Sequence, residues 1–154
     1  MELKDIVTPE AVYAGLNATS KKHLLQELAQ RAEDRLGLEA RAAFEGLLER
    51  ERLGATGMGR GVAVPHARLP GLTSVRGVFT TLSRPVSFDA IDDEPVDLVF
   101  ALFAPENAGA DHLRALARVS RRLRDPAVCM KLRAADHVEA IYAVLTDTEQ
   151  SKAA

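Results

Sequence analysis

Two histidine side chains are the best candidates in this sequence for nucleophilic or metal-binding chemistry. His66 follows Pro65 after a short apolar run, and His112 lies between Asp111 and Leu113. A neutral imidazole, whose ordinary pKa is about 6.5, is a competent nucleophile at neutral pH and also a common metal ligand. Pro65 stiffens the backbone before His66, which favours an outward presentation of the ring. From position alone, however, a lone loop histidine is more often exposed or satisfied in a core than catalytic.

These two histidines would suit a zinc ion only if further ligands lay near them, because a structural zinc site needs four. The sequence offers no credible third or fourth partner for His66 and His112. The single cysteine, Cys129, lies in an apolar stretch with nothing to activate a thiolate. His23 and His137 fall on predicted helices and are interpreted as surface residues. We therefore predict no metal site, no catalytic thiol and no intrachain disulfide.

A glycine-rich stretch from Gly54 to Gly61 precedes His66 and raises the question of nucleotide binding, since successive glycines let backbone amides approach phosphates. The stretch contains no Gly-Lys-Ser or Gly-Lys-Thr. It also leads into a strand and a proline, instead of from a strand into a helix. We therefore predict that no nucleotide is bound as a cofactor.

Composition narrows the class of protein. A chain of 154 residues with an apolar share of 47% is expected to fold as one globular domain. The formal net charge of -2 provides no general attraction to nucleic acid or to anionic lipid. The first residues lack the basic and apolar segments of a secretory signal, and no apolar run is long enough to insert into a membrane. Together with the single cysteine, these features predict a cytoplasmic protein without nucleic-acid or membrane partners.

The elements that must position the histidines begin with helices. Thr8-Pro9-Glu10 is typical of a helix start and predicts a short helix that ends before Asn17. Apolar residues at helical spacing predict an amphipathic helix from Thr19 or Ser20 to Gly37. A further helix is predicted from Glu39 to Arg52, and it places Arg50 in its last turn.

The middle of the chain changes to strand patterns. Residues 54–71 indicate a loop, a short strand at Val62-Ala63-Val64, and a second loop that carries His66. Alternation predicts a strand over Val75 to Leu82, with a turn at Arg84-Pro85. The nearly uninterrupted apolar run from Val96 to Phe103 predicts a central strand that is covered on both faces.

Two helices are predicted to complete the chain. One runs from about Asp111 to Asp125-Pro126 and has His112 in its first turn. The other begins at Asp136, with Glu139 completing a capping box. The residues expected to face inward from the first of these helices are Leu113, Leu116, Ala117, Ser120 and Leu123. Helices around a set of strands, without internal repeats, predict one α/β or α+β domain over 1–154, with a core of about 4–146 and a frayed tail at 147–154.

Longer segments around both histidines resemble a known family. The stretch from Leu48 to Arg68 includes Glu-Arg-Glu-Arg-Leu-Gly and Val-Ala-Val-Pro-His-Ala-Arg, and the second histidine lies in Asp111-His112-Leu113, followed by Leu116-Ala117. Both segments resemble the active-site segments of the type-2 enzyme IIA proteins (mannitol, fructose and nitrogen) of the bacterial phosphoenolpyruvate-dependent sugar phosphotransferase system. The resemblance extends from Lys4 to Leu145.

The resemblance implies a fold and a set of roles. The fold would be a mixed, roughly five-stranded sheet flanked by helices on both faces. His66 would accept a phosphoryl group from phospho-HPr, His112 would be the helper histidine, and Arg50 would stabilise the phosphate, with no metal or organic cofactor. The chain would then be a phosphotransferase component, not a free-standing metabolic enzyme. Arg60 and Arg68 would flank the site, and Arg60 stands where a small polar residue is expected in the family.

Within the family, a chain without attached permease or sugar-binding domains that opens Met1-Glu2-Leu3-Lys4-Asp5-Ile6-Val7 looks most like the nitrogen-related, regulatory branch. The resemblance then implies the HPr of that branch as donor, and regulatory targets such as potassium transport regulators or sensor kinases. One alternative is a sugar-system enzyme IIA that passes phosphate to a separate enzyme IIB. Another is an interaction module whose histidines no longer react.

Overall fold

The computed structural model describes residues 1–147, so the predicted frayed tail at 147–154 lies outside the described residues except for Asp147. Its helices are α1 (Leu3–Ile6), α2 (Lys21–Leu36), α3 (Ala40–Leu53), α4 (Ala110–Leu123), α5 (Pro126–Ala134) and α6 (Val138–Thr146), with a 3-10 turn at Pro9–Ala11. Its strands are β1 (Val12–Leu16), β2 (Gly57–Gly59), β3 (Val62–Ala63), β4 (His66–Leu69), β5 (Arg76–Val86) and β6 (Val96–Pro105). The chain is a mixed α/β fold.

The sheet has six strands in the order β1-β5-β6-β3-β2, and β4 also pairs with β6. Strand β5 is antiparallel to β6, whereas β3 and β4 are both parallel to β6 and follow one another along its other edge. Mixed pairing confirms the predicted class. The sheet contains one strand more than the roughly five that were predicted, because the chain before and after Pro65 forms two short strands.

Strand β6 is the centre of the fold, as its apolar run predicted. Its residues from Leu98 to Ala104 are fully buried, because β6 has partner strands on both edges and helices over the sheet. The rings of Phe79 on β5 and Phe100 on β6 meet edge to face at 5.9 Å. One cluster of buried apolar residues extends from Leu3 to Leu145, so the sheet and its helices share a core.

The helices α2 and α3 follow the predicted signals closely. Ser20 caps α2 by accepting a hydrogen bond from the backbone amide of His23 at 3.0 Å, and Gly37 ends the helix in the left-handed region at φ 73°. Helix α3 begins one residue after the predicted Glu39 and ends one residue after Arg52. Arg50 therefore lies in the last turn, as expected.

Two sequence predictions are wrong in this part of the fold. The helix predicted after Thr8 is only the 3-10 turn Pro9–Ala11, because Val12–Leu16 pairs with β5 as an edge strand. Strand β5 continues through the predicted turn at Arg84-Pro85 to Val86, which pairs with Val96. Proline is tolerated there because the register shifts between Thr81 and Val86, and the ladder is interrupted over that stretch.

The C-terminal helices also differ from expectation. Asp125 and Pro126 both end α4 and begin α5, since the Asp125 side chain accepts a hydrogen bond from the amide of Ala127 at 2.9 Å. Helix α6 is capped by His137 and not by Asp136. Within residues 1–147, no helix is both long and apolar enough to span a membrane.

Helix α4 is rotated relative to the predicted inward face. Its buried residues are His112, Ala115, Val119 and Leu123, whereas Leu113 is 66% exposed. The predicted face shared only Leu123 with this set. The burial of His112 accounts for this rotation. Successive helical residues point about 100° apart, so with His112 turned toward the sheet, Leu113 is turned toward solvent.

Candidate functional site

His66 is the first residue of β4, not a loop residue as predicted. It pairs with Leu102 of the central strand, and the Leu102 amide donates a hydrogen bond to the Pro65 carbonyl at 2.9 Å. Alternation along β4 places Ala67 and Leu69 toward α3, where Gly46 leaves room for them. A Cβ at position 46 would lie 3.0 Å from the Ala67 Cβ. His66 and Arg68 consequently face the other side of the sheet.

The His66 ring is oriented through both nitrogens. Its Nδ1 lies 2.9 Å from the Val64 carbonyl oxygen, which can only accept a hydrogen bond. The proton of the neutral ring is therefore on Nδ1, and the lone pair is on Nε2. Nε2 accepts a hydrogen bond from Nε of Arg50 at 3.2 Å. The nucleophilic nitrogen of His66 thus points into the space beside Arg50.

Arg50 reaches His66 from the last turn of α3. Its Nη1 donates to the Gly54 carbonyl at 2.8 Å, just after the end of the helix, while its Nε contacts His66. A cation in the last turn also interacts favourably with the carbonyl end of the helix dipole. The guanidinium is therefore held beside His66 with further N–H donors available for an anion.

His112 completes the cluster from the first turn of α4. Its ring meets the His66 ring edge on, with centroids 5.3 Å apart. Only 4% of His112 is exposed, and neither ring nitrogen has a hydrogen-bond partner within residues 1–147. Buried polar atoms without partners are uncommon in folded proteins and often belong to functional sites. The structure brings the three predicted residues together, from α3, β4 and α4.

The cluster opens into a pocket of about 540 Å³ between α3, β4 and α4. Arg68 lines this pocket, two residues after His66 on the same side of β4, as expected for a residue that flanks the site. Apolar side chains from α3 and α4, including Leu53, Leu113 and Leu116, line the rest of it. His66 therefore borders a pocket that is open to a partner molecule.

Both histidines are kept neutral by their surroundings. Burial lowers the pKa of His66, and the charges of Arg50 and Arg68 lower it further, although the Val64 carbonyl and Glu51 act in the opposite direction. Burial also lowers the pKa of His112 to about 4, with smaller contributions from His66 and Arg68. At neutral pH both rings are consequently uncharged, and the lone pair of His66 is available.

The glycine-rich stretch before His66 forms a hairpin and not a phosphate-binding loop. Strands β2 and β3 are antiparallel and are joined at Arg60, whose φ is 58°. Arg60 is not among the residues that line the pocket beside His66, so it does not flank the site as predicted. Its backbone carbonyl accepts from Arg133 at 2.7 Å, and its backbone amide donates to Asp92 at 2.9 Å. Gly57 is needed for close packing, since a Cβ there would lie 2.8 Å from the Ala90 Cβ.

Glu51 is a residue that the sequence analysis missed. Its side chain is only 3% exposed and pairs with Lys21 of α2 at 2.9 Å. It also accepts hydrogen bonds from the amide and the hydroxyl of Thr56. The Thr56 carbonyl in turn accepts from the Val64 amide at 3.1 Å, and the Val64 carbonyl holds the His66 ring. The only sequence signal for this role was the run Glu-Arg-Glu-Arg, in which Glu51 directly follows Arg50.

The remaining chemical candidates lie apart from this site. The Cys129 thiol is buried, donates to the Leu123 carbonyl and has a raised pKa because of its burial. Within the described residues, no three His, Cys, Asp or Glu side chains come together as a possible metal site. His23 and His137 lie near the N-termini of α2 and α6 and contact neighbouring polar groups.

Comparison with known proteins agrees with this geometry. Residues 5–148 match the family model described as "Phosphoenolpyruvate-dependent sugar phosphotransferase system, EIIA 2". The chain is 53% identical to a nitrogen regulatory protein of Bradyrhizobium diazoefficiens over 145 residues, which cover 94% of this chain and 95% of the relative. It is 40% identical to the nitrogen regulatory protein of Escherichia coli over 150 residues, covering 97% and 92% of the two chains.

A solved structure shares the same fold. The crystal structure of the nitrogen regulatory protein IIA-Ntr from Neisseria meningitidis superimposes with a TM-score of 0.88 at 35% identity, covering 94% of this chain and 99% of that one. Sequence, fold and the cluster of two histidines and an arginine lead to the same assignment. The chain belongs to the EIIA type-2 family of the phosphoenolpyruvate-dependent sugar phosphotransferase system, as a phosphoryl carrier related to the nitrogen regulatory proteins.

Proposed function

We propose that this chain accepts a phosphoryl group on Nε2 of His66 from the phospho-HPr of the nitrogen branch, and that its phosphorylation state regulates target proteins. The observation that carries the proposal is the orientation of His66. Val64 holds Nδ1–H, so the lone pair of Nε2 faces the open pocket beside Arg50. His66 is thereby ready to act as a nucleophile without a base to remove a proton.

The transfer needs little covalent help from the protein. The Nε2 lone pair attacks phosphorus in line with the donor's leaving atom, the bond from phosphorus to that atom breaks, and its electron pair stays with the donor. His66 keeps its Nδ1 proton during this step, so its ring is positively charged until that proton is lost to solvent, while the leaving atom of the donor takes up a proton from solvent. Positioning and charge stabilisation would supply most of the rate, as in other phosphoryl transfers.

The groups around His66 are suited to stabilising the negative charge of a phosphoryl group. Arg50 would exchange its contact with Nε2 for phosphate oxygens, which guanidinium groups bind with paired, charge-assisted hydrogen bonds. His112, whose ring nitrogens have no other partner within residues 1–147, would donate a hydrogen bond to the phosphate. The N-terminus of α4, capped by Gly109 without a side-chain hydrogen bond, adds positive potential on the same side.

Regulation of targets is supported by the relatives, which are nitrogen regulatory proteins that match this chain over nearly its whole length. Phosphorylation adds about two negative charges to a surface pocket, which is enough to change the affinity of a docked partner. Potassium transport regulators and sensor kinases remain the target classes that the family resemblance implies. A cytoplasmic location, which the single cysteine also favours, is part of the proposal.

The test is intact-mass measurement after incubation with phosphoenolpyruvate, enzyme I and the nitrogen-branch HPr. We expect one phosphoryl adduct on the wild type and none on His66→Ala. Arg50→Ala is expected to slow adduct formation by about one to two orders of magnitude, because the phosphate loses its charge-assisted partner. His112→Ala is expected to yield an adduct that forms more slowly or is less stable. His137→Asn is the matched control, because it removes an exposed histidine while retaining a capping side chain.

Three outcomes would contradict parts of this proposal. No adduct on folded wild type with donors of either branch would refute the carrier function. An adduct that survives in His66→Ala would place the phosphate elsewhere. Rapid transfer from the chain to an isolated sugar-specific enzyme IIB, with no change in target binding on phosphorylation, would favour the sugar-transport alternative over regulation.

A further inference from the structure

The outer side of α4 carries a groove that begins at the His66 pocket and continues beyond it. Next to that pocket is a depression of about 350 Å³ lined by α4 residues, and next to this is another of about 500 Å³ between α4 and the β2 hairpin. Leu116 lines both the first and the second, and Ser120 and Arg124 line both the second and the third. We call these three adjoining depressions the α4 groove. From Leu113 to Arg124 it extends about 17 Å along the helix.

The α4 groove has an unusually apolar rim. Three large apolar side chains on the rim are mostly exposed to solvent: Leu53 (84%) and Leu113 (66%) at the His66 pocket, and Ile91 (88%) at the far end. Isolated exposed apolar residues are ordinary, but a row of them along one depression is typical of a protein-binding surface. The mechanism proposed for His66 gives no reason for an exposed Ile91 at the far end.

The α4 groove is also positively charged in a chain whose net charge is negative. Its charged lining residues are Arg50, Arg68, Arg121 and Arg124, against Glu49 and Asp89. Both carboxylates already have partners outside the groove, since Glu49 pairs with Arg52 at 3.1 Å and Asp89 with Lys21 at 3.6 Å. Arg121 and Arg124 have no ion pair or side-chain hydrogen bond within residues 1–147, and both are exposed. The uncompensated charge of the groove is therefore positive.

We propose that the α4 groove docks a segment of a protein partner in which acidic side chains flank apolar ones. The apolar side chains would pack against Leu113, Leu116 and Met58, and the acidic ones would pair with Arg121 and Arg124. A nucleic acid fits less well, because the rim is apolar and the chain as a whole is acidic. An anionic membrane fits less well, because a flat anionic surface would meet Asp92, Asp93 and Glu94 beside Ile91, whereas a narrow segment in the groove can place its acidic groups at Arg121 and Arg124.

Phosphate on His66 would weaken this docking. The His66 pocket is the head of the groove, so the added dianion would neutralise Arg50 and repel an acidic segment. Only this dependence on phosphate rests on the proposed function, and the docking itself does not. Helix α4 would thus carry both the helper histidine, on its buried side, and the target-binding surface, on its exposed side.

The test uses the full chain and a synthetic helical peptide with leucines along one face and glutamates on its flanks. A second peptide has glutamine in place of each glutamate. Affinities are measured by calorimetry at low ionic strength, and the site by changes in backbone amide NMR shifts. We expect the glutamate peptide to bind about tenfold or more tightly than the glutamine peptide and to shift amides of α4 from Leu113 to Arg124.

The charge-reversal variant Arg121→Glu/Arg124→Glu is expected to lose at least about tenfold in affinity for the glutamate peptide. It should still take up phosphate on His66 to the same extent, which separates this test from that of the proposed function. Lys22→Glu/Arg84→Glu is the matched control, since both residues are exposed and lie outside the groove. Equal binding of the two peptides, shifts confined to other surfaces, or loss of binding in the control would overturn the proposal. So would tighter, variant-sensitive binding of duplex DNA or of phosphatidylserine vesicles.

Discussion

At the scale of single residues, the site contains two rings that burial keeps neutral but that differ in their hydrogen bonds. His66 is half-buried and has a hydrogen bond at each nitrogen, so its tautomer and its direction are both determined. His112 is almost completely buried and has no partner at either nitrogen within residues 1–147. A side chain with that much desolvation and no internal compensation reduces stability, which is consistent with a group whose partner arrives as a ligand.

This difference predicts a pH dependence of stability that belongs to His112. The unfolded chain protonates this ring near its ordinary pKa of 6.5, but the folded protein protonates it only near about 4. Above 6.5 both states are neutral, so the contribution to stability is fully present. As the pH falls from 6.5 to about 4, the unfolded state binds more protons, and the free energy of unfolding decreases.

The measurement is urea unfolding at several pH values for the wild type and for His112→Phe, which keeps an aromatic ring but cannot titrate. We expect the wild type to lose more unfolding free energy than the variant across this window. Carboxylates and the other histidines titrate in both proteins, so the difference isolates His112. Identical pH profiles for the two proteins would contradict the lowered pKa.

At the scale of secondary-structure elements, two consecutive residues in the last turn of α3 make contacts on different sides of the helix. Arg50 reaches the site, while Glu51 points back into the fold and joins α2 to the hairpin through Lys21 and Thr56. Thr56 is hydrogen-bonded to Val64, the residue whose carbonyl orients His66. The buried ion pair is thus linked through the hairpin backbone to the carbonyl that orients His66, and we predict that it helps to position this ring.

Removing the Glu51 charge should be costly. Breaking a buried ion pair leaves an uncompensated charge, so Glu51→Ala is expected to lower the free energy of unfolding by about 3 kcal/mol or more. Glu49→Ala on the same helix is the control, because its ion pair with Arg52 is exposed and should contribute less than about 1 kcal/mol. Urea unfolding measures both changes.

A double replacement tests whether the loss comes from the unpaired charge. Lys21→Met/Glu51→Leu removes both charges and should recover much of the stability lost in Glu51→Ala, since apolar pairs often replace buried ion pairs well. Phosphorylation of His66 should be slower in this double variant than in the wild type, because the hydrogen bonds from Thr56 to the Glu51 side chain are missing. Stability losses of equal size in Glu51→Ala and Glu49→Ala would contradict the expected cost of the unpaired charge, and a wild-type phosphorylation rate in the double variant would contradict the positioning role.

At the scale of the whole molecule, the sheet is organised around β6. This strand has partners on both edges, whereas β2 pairs only with β3 at the margin. The site lies where β4, itself paired with β6, meets the ends of α3 and α4. His66 therefore lies on a strand that pairs directly with the central strand, whereas Ile91 at the far end of the groove lies in a loop outside the sheet.

Hydrogen exchange should reflect this arrangement. We expect the amides of β6 to exchange only through global unfolding and to be the slowest in the protein, because they are buried and paired on both sides. The amides of β2 should exchange faster, through local opening of the hairpin at Arg60. Native-state exchange in low concentrations of denaturant would distinguish the two. Equal protection of β2 and β6 would show that the hairpin and the central strand open together.

The sequence by itself determined a good part of this protein. Local patterns predicted α2 and α3 to within about two residues at each end, the central strand from Val96 to Phe103, and the beginning of α4 near Asp111. Capping residues and apolar periodicity act within a few positions of the chain, which is why these elements could be predicted. The family resemblance was confirmed, and the candidates His66, Arg50 and His112 were identified by their sequence context. Their roles in phosphoryl transfer stay predictions.

Only the tertiary structure decided how these residues act. His66 joined a strand because β6 offered an unpaired edge, and a four-residue segment gives little local evidence of such pairing. The rotation of α4 followed from burial of His112 against His66, which no helical periodicity could predict. Glu51 became a buried partner of Lys21 across thirty positions of sequence. Each of these outcomes depends on contacts between segments that are distant in the sequence. Such contacts form only when folding brings the segments together, so local sequence patterns do not report them.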